Sequence, residues 1–311
     1  MPSLLNTAAD AVIKRIHRSP FYYRKYNNTL SYRLNKLYID FARECSQKYA
    51  ADHPGVILPP SPIKDTPAVA FRGVFSKEKA RAISEKMGQL IESKDPSAYF
   101  PPHKQGGGLM AEIRSPLKTL GADSVEAFRD PAVHDALLRF FGGNYRIKGA
   151  AAWRSFATKE EDAVSWLWHS DTNPPFTCKM FVHLTPANAE KGATELMNRE
   201  DTMAYRRAGY FGQFGNERRS DLDAFAKEHG LPYRPLRIDV EAGDATLFDQ
   251  NFLHRAVAPK SGYRDVIQFL MIPSLISWDE DYKQNPERLL SAEGGFPKDP
   301  RRPDGSGSAM M

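Results

Sequence analysis

GDATLFDQNFLHRAVAPKSGYRDVIQFLMIPS, Gly243 to Ser274, holds short apolar runs broken by turn residues and shows no helical period. Gly243 and Asp244 predict a tight turn into a strand that Leu253 and His254 close, and Arg264, ten residues after His254, opens another strand. Outward from this stretch the same texture recurs in YRIKGAAAWRSFA, AVSWLWHSD, TCKMFVHLTP and LRIDVEAGDATLFD. From Tyr145 to about Ile276 this is an all-β signature, a sandwich or barrel and not a doubly wound sheet. One mixed-charge interruption, near 199–235, carries DLDAFAKEHG, which predicts a helix.

Upstream the pattern is helical. SKEKARAISEKMGQLIES places Ile83, Met87, Leu90 and Ile91 on one face, after the short strand pattern PAVAFRGVF. DPAVHDALLRFFGG is a punctuated helix: Asp130 suits the N-cap, Pro131 the first turn and Gly142 the stop. His134 within it reads as solvated or as a local hydrogen-bond partner. A helix is expected from about Ser31 to Tyr49, with Leu34, Leu37, Tyr38, Phe41 and Cys45 on one side, and an earlier one through Leu5, Ala9, Val12 and Ile16. QGGGLM, from Gln105, lacks the GK[ST] of a phosphate loop and reads as a flexible loop or site rim.

Charge divides the chain unevenly. The formal net charge is +5, yet residues 1–50 hold nine Lys and Arg against three Asp and Glu, so the remainder is close to neutral. The expected organisation is a basic helical arm over 1–52, a proline-rich linker over 53–66, a β-domain over 67–277 with its insert near 199–235, and a partly disordered tail over 278–311. The arm is expected to pack on the domain, with peripheral contact to a membrane surface or polyanion as the alternative. A near-neutral β-domain disfavours a nucleic-acid track. Cys45 and Cys178 form neither a disulfide framework nor a zinc-finger spacing, and no apolar run resembles a leader or a membrane span, so a cytoplasmic location is expected.

WLWHSDTNPP, Trp166 to Pro175, puts His169 and Asp171 on one side of a predicted strand end, with Trp168 and Ser170 on the other. A buried carboxylate needs a cation or a metal. A chance His-x-Asp is common, and its bland reading is a salt-linked strand end; His254 followed by Arg264 adds a second constellation.

Together, His169-x-Asp171, the distant His254 and Arg264 resemble the Fe(II)/2-oxoglutarate-dependent dioxygenases, and among them the phytanoyl-CoA dioxygenase-like family. TCKMFVHLTPANAEKGATELM is similar to that family's segment after the metal motif, and the resemblance spans residues 67–277. It implies a mainly β fold, a double-stranded β-helix (jelly-roll, cupin-like) core with flanking α-helices. It also implies that His169, Asp171 and His254 hold Fe(II) on one octahedral face, leaving positions for 2-oxoglutarate and O2. Arg264 would pair with the far carboxylate of 2-oxoglutarate, which is converted to succinate and CO2. Family halogenases lack the carboxylate that Asp171 supplies, so the resemblance implies hydroxylation or a related oxidation.

Further cosubstrate candidates are Lys179, Arg154 and Thr194; candidates for the substrate are His183, Gln268, Arg206 and Arg207. The family closes its glycine segment with a Pro-Gly-Ser-His-like stretch, where this chain has MNRED, so cosubstrate contacts are not carried over there. The insert's Arg206, Arg207, Arg218 and Arg219 suggest an anionic substrate, small or carrier-linked. Two rival readings are a cupin-like metal-dependent isomerase or hydrolase without 2-oxoglutarate, and a non-catalytic binding module that works through its basic arm.

Overall fold

The apolar run over 263–273 and its antiparallel partner over 145–156 form the two longest strands, and the rest of the architecture assembles around them. The computed structural model describes residues 36–63, 66–100, 110–158, 165–171, 176–212 and 217–284. The expected helix over Leu5–Ile16, the QGGG loop and the tail beyond 284 lie outside the described residues. The described elements are α1 (Lys36–Asp52), β1 (Ala68–Phe71), α2 (Lys77–Glu92), β2 (Tyr99–Phe100), β3 (Met110–Ile113), α3 (Pro116–Leu120), a 3-10 turn (Ala122–Arg129), α4 (Pro131–Phe141), β4 (Tyr145–Phe156), β5 (Cys178–His183), β6 (Glu195–Leu196), α5 (Arg199–Arg207), α6 (Leu222–His229), β7 (Leu236–Arg237), β8 (Ala245–Asp249), β9 (His254–Arg255), β10 (Tyr263–Pro273) and α7 (Trp278–Gln284).

Seven strands form an antiparallel sheet in the order β1-β8-β5-β10-β4-β3-β2, and three short ones form a second, β7-β6-β9. From β5 onward the chain passes from the large sheet to β6, back to β8, across to β9 and back to β10. That alternation is the winding of a double-stranded β-helix, so the fold is mainly β with flanking helices, as the sequence implies.

The two faces of the large sheet bury different things. One face, carrying Met180, Val182, Leu247, Ile267, Phe269 and Ala152, joins Ile83 and Met87 of α2 and Val133 and Leu137 of α4 in the main core. Local chemistry fixes those helices. The Ser76 hydroxyl accepts from Lys79 N, Asp130 Oδ1 accepts from Ala132 N and Val133 N, and Gly142 ends α4 at φ 65°. His134 Nδ1 meets Tyr145 Oη at 2.9 Å, the local partnership its position suggested.

The insert packs around a core of its own. Tyr205 of α5 and Leu222 and Phe225 of α6 surround fully buried Trp168 together with Met197 and Tyr210. Three details differ from the sequence expectations. No strand runs through Ser165–Asp171; Trp168 and His169 make single bridges to Arg219 and His254, two different segments, so a continuous ladder cannot form. His254 does not close the strand begun at Ala245: that strand ends at Asp249, and His254 opens β9 in the other sheet. Finally, the chain from residue 278 starts as α7, whose Trp278 is buried at 5.5 Å from Phe128.

Candidate metal centre

His169 and His254 are held as a backbone pair. His169 N donates to His254 O at 2.9 Å and His254 N to His169 O at 2.8 Å, and the two rings lie 4.2 Å apart. Each ring is oriented the same way: Nδ1 of His169 meets Leu167 O at 2.7 Å, and Nδ1 of His254 meets Phe252 O at 2.8 Å. A carbonyl only accepts, so each Nδ1 carries the proton and each Nε2 presents its lone pair. Asp171 stands opposite, with Oδ1 4.0 Å from His169 Nε2 and Oδ2 3.8 Å from His254 Nε2. The three ligand atoms lie within 4.8 Å of one another. Metal–ligand bonds of about 2.0–2.2 Å let two ligands of one ion sit at most about 4.4 Å apart, so small side-chain movements close this set on an ion.

The protonation states suit that role. Burial, reinforced by His254, lowers His169 well below the ordinary imidazole range, and burial pushes His254 down to about 4. Burial works against ionisation of Asp171, but the Lys179 ammonium outweighs it and holds the carboxyl well below its usual value. Two neutral imidazoles and one carboxylate are therefore ready at neutral pH.

The centre lies over the face of the large sheet opposite the helices. On β5, Lys179, Phe181 and His183 project to this side; Lys179 Nζ contacts Asp171 Oδ2, and Phe248 of β8 lies 5.4 Å from the His254 ring. At the other end of this line stands Arg264. It is 5% exposed, and its one hydrogen bond among the described residues is from Nη1 to Gly192 O, with Nε unpartnered. Burial draws it down to about 10, and its charge joins burial in pushing His183 to about 3. Gly192 must be glycine: φ is 78°, and a Cβ there would meet Val257 O at 2.3 Å. Thr194 Oγ1 and His183 Nδ1 are also buried without partners among the described residues, while His183 Nε2 meets Thr246 Oγ1 at 3.0 Å. Gln268, half-buried on β10, projects to the same face beside Phe181.

Other sequence candidates fall elsewhere. Arg154 pairs across the strands with Asp265, so it projects to the helical side and not toward the metal centre. Its Nε and Nη2 bond the two Asp265 oxygens at 2.8 and 2.6 Å, and Nη2 also reaches Ser84 O. The cosubstrate role expected of it is thereby corrected. Lys179, another such candidate, is paired with Asp171. Arg206 is buried as a tether, bonding Ser170 Oγ at 3.2 Å and Asn251 O at 2.6 Å, and Arg207 is exposed. The insert lies directly along the metal loop. Tyr210 Oη donates to Trp168 O at 2.7 Å, Ser170 Oγ donates to Phe211 O at 2.9 Å, and a Cβ on Gly212 would lie 2.9 Å from His169 Cα. Tyr210 and Gly212 had no motif to flag them.

No family model matches the chain, and no curated protein does. Among solved structures, it is similar in fold to the non-heme alpha ketoglutarate-dependent epimerase SnoN from nogalamycin biosynthesis (12% identity over 75% of this chain and 83% of that one, TM-score 0.46). HygX from Streptomyces hygroscopicus, with nickel and 2-oxoglutarate bound, is 14% identical over 69% of this chain and 85% of its own, with a TM-score of 0.46. EctD from S. alaskensis with bound Fe is 15% identical over 69% and 76%, also at 0.46. Likeness at this level does not extend to activity.

Proposed function

We propose that the chain is a non-haem Fe(II)/2-oxoglutarate-dependent oxygenase of the phytanoyl-CoA dioxygenase-like kind. In this reading it hydroxylates a small or carrier-linked anionic substrate and releases succinate and CO2. The supporting observation is the pairing on one sheet face of a two-histidine, one-carboxylate donor set with a buried guanidinium that has no carboxylate partner among the described residues. Such a donor set leaves open positions on an octahedral ion. A buried unpaired cation is unfavourable unless an anion completes it. Thr194 Oγ1 and His183 Nδ1 add orphaned polar atoms on this side of the fold, which fits a ligand with several oxygens.

Iron bound here, with 2-oxoglutarate, would supply the oxidising chemistry. The protein's own work is to hold and exclude. His169 and His254 present fixed lone pairs, Asp171 offers one charge, and Arg264 orients the cosubstrate by its far carboxylate. Residues 210–212 close one side against water. A metal-dependent isomerase or hydrolase would leave Arg264 without a purpose.

The test is anaerobic addition of Fe(II) and 2-oxoglutarate to the purified protein, which should give the weak visible charge-transfer band of a chelated 2-oxoacid. His169→Ala, Asp171→Ala and His254→Ala should each abolish it. Stoichiometric zinc in the protein, with no band and no succinate after iron loading, rejects the oxygenase reading.

A further inference from the structure

One cation contacts the carboxylate that the metal-centre reading makes a ligand, and a second is carried by the insert segment that pairs beside His169. Lys179 Nζ contacts Asp171 Oδ2, the oxygen that lies 3.8 Å from His254 Nε2; the Lys179 and Asp171 side chains are 15% and 18% exposed. Among the described residues this is the only hydrogen bond or ion pair that Lys179 makes. Arg218 approaches from the insert. Arg219 bridges Trp168, with Trp168 N donating to Arg219 O at 2.8 Å and Arg219 N donating to Tyr210 Oη at 3.0 Å, so the preceding residue sits beside His169. Its charge acts on Asp171 and on both histidines. Two of the insert's other arginines have different roles: Arg206 is the tether described above, and Arg219 lies over the Phe225 ring.

A dication bound by Asp171 draws on the same negative charge that now holds Lys179. The half-buried ammonium then faces the ion with its partner shared, and Arg218 adds a like charge. Bringing an anion into that space relieves the repulsion, and the low-dielectric surroundings strengthen the attraction. Arg264 is set apart, at the far end of the β5 line. We propose that Lys179 and Arg218 together bind an anionic group of the substrate, a carboxylate or a phosphate, next to the metal. This rests on the metal-centre reading above and adds to it the residues and the chemical class that select the substrate.

The experiment uses the full chain loaded with Mn(II) and saturated with 2-oxoglutarate, and measures paramagnetic relaxation of the methyl protons of acetate, methyl phosphate and neutral acetamide. At least one anion should relax much faster than acetamide, and the stronger one identifies carboxylate or phosphate as the recognised group. Lys179→Met and Arg218→Met should each weaken that anion's binding about tenfold, the scale of one charge-assisted hydrogen bond. Mn(II) affinity should be unchanged or tighter in Lys179→Met, since a like charge has been removed. Equal relaxation of anions and acetamide, or no loss in either variant, overturns the proposal. So does weaker Mn(II) binding in Lys179→Met, because Lys179 would then brace a ligand and not receive substrate. A separate titration with 2-oxoglutarate, followed by tryptophan fluorescence, distinguishes the two levels: no binding there rejects the oxygenase reading, whatever the anions do.

Discussion

Arg264 and Asp265 are neighbours on β10 that project to opposite faces of the large sheet, and their surroundings could hardly differ more. Asp265, fully buried, is closed within the protein: Arg154 grips both oxygens, Ser84 Oγ donates to Oδ2 at 2.6 Å, and Arg154 also lies over the Tyr263 ring at 3.9 Å. Arg264 is also buried, with a single carbonyl partner among the described residues. Charge balanced inside the chain belongs to the framework; charge left open to one side is where the proposed cosubstrate would bind.

The largest expected effect comes from breaking the closed side. Arg154→Met leaves buried Asp265 without its cation, with Ser84 Oγ as its remaining side-chain donor, so it should destabilise the protein by about 3–5 kcal/mol in urea unfolding. The same change at Arg264 should leave the ligand-free melting temperature unchanged or raise it. Equal losses at both positions would erase the contrast.

Next in size is binding on the open side. Arg264→Met should weaken 2-oxoglutarate by about 1.5–3 kcal/mol, the range for a hydrogen bond to a charged group, with metal affinity nearly intact. Unchanged 2-oxoglutarate affinity would assign the far carboxylate to another residue.

Histidine 183 sharpens the comparison through pH. It is neutral in the fold, pushed to about 3 by burial and then by Arg264. An unfolded histidine titrates near about 6.5, so between these values the unfolded chain binds the extra proton and stability falls as pH drops. The contribution is about 1.4 kcal/mol per pH unit for one histidine below about pH 6. Urea midpoints at pH 7, 6 and 5 should decline less steeply in His183→Gln than in the parent. A smaller change, on the helical side alone, is Asp130→Ala. Loss of that cap should destabilise by about 1 kcal/mol and leave metal and 2-oxoglutarate binding unaltered.

Much of this was legible in the sequence because it follows from local rules. The caps at Asp130 and Gly142, the apolar face of α2 and the strands over 145–156 and 263–273 all follow from spacing and turn chemistry. His169, Asp171 and His254 could be picked out by type and separation. What was hidden depends on register between distant strands. Whether Arg154 faces the helices or the metal is decided by its pairing opposite Asp265, 111 residues away, and no local pattern encodes that parity. The Lys179–Asp171 contact is similar: strand alternation predicts the side on which Lys179 projects, but not which atom it meets. The insert, polar and irregular on paper, acquires a core only because Trp168 is delivered to it by the fold.

The reciprocal hydrogen bonds between His169 and His254 have a practical consequence. Both imidazoles are set by backbone carbonyls on their own segments, so their geometry is inherited from the chain and does not wait for an ion to create it. Stripping the metal should leave an intact receptacle, and refilling it should proceed at the speed of ion entry, with no refolding step. A centre built this way can lose its ion to a chelator, or to oxidation, and be restored without replacing the polypeptide.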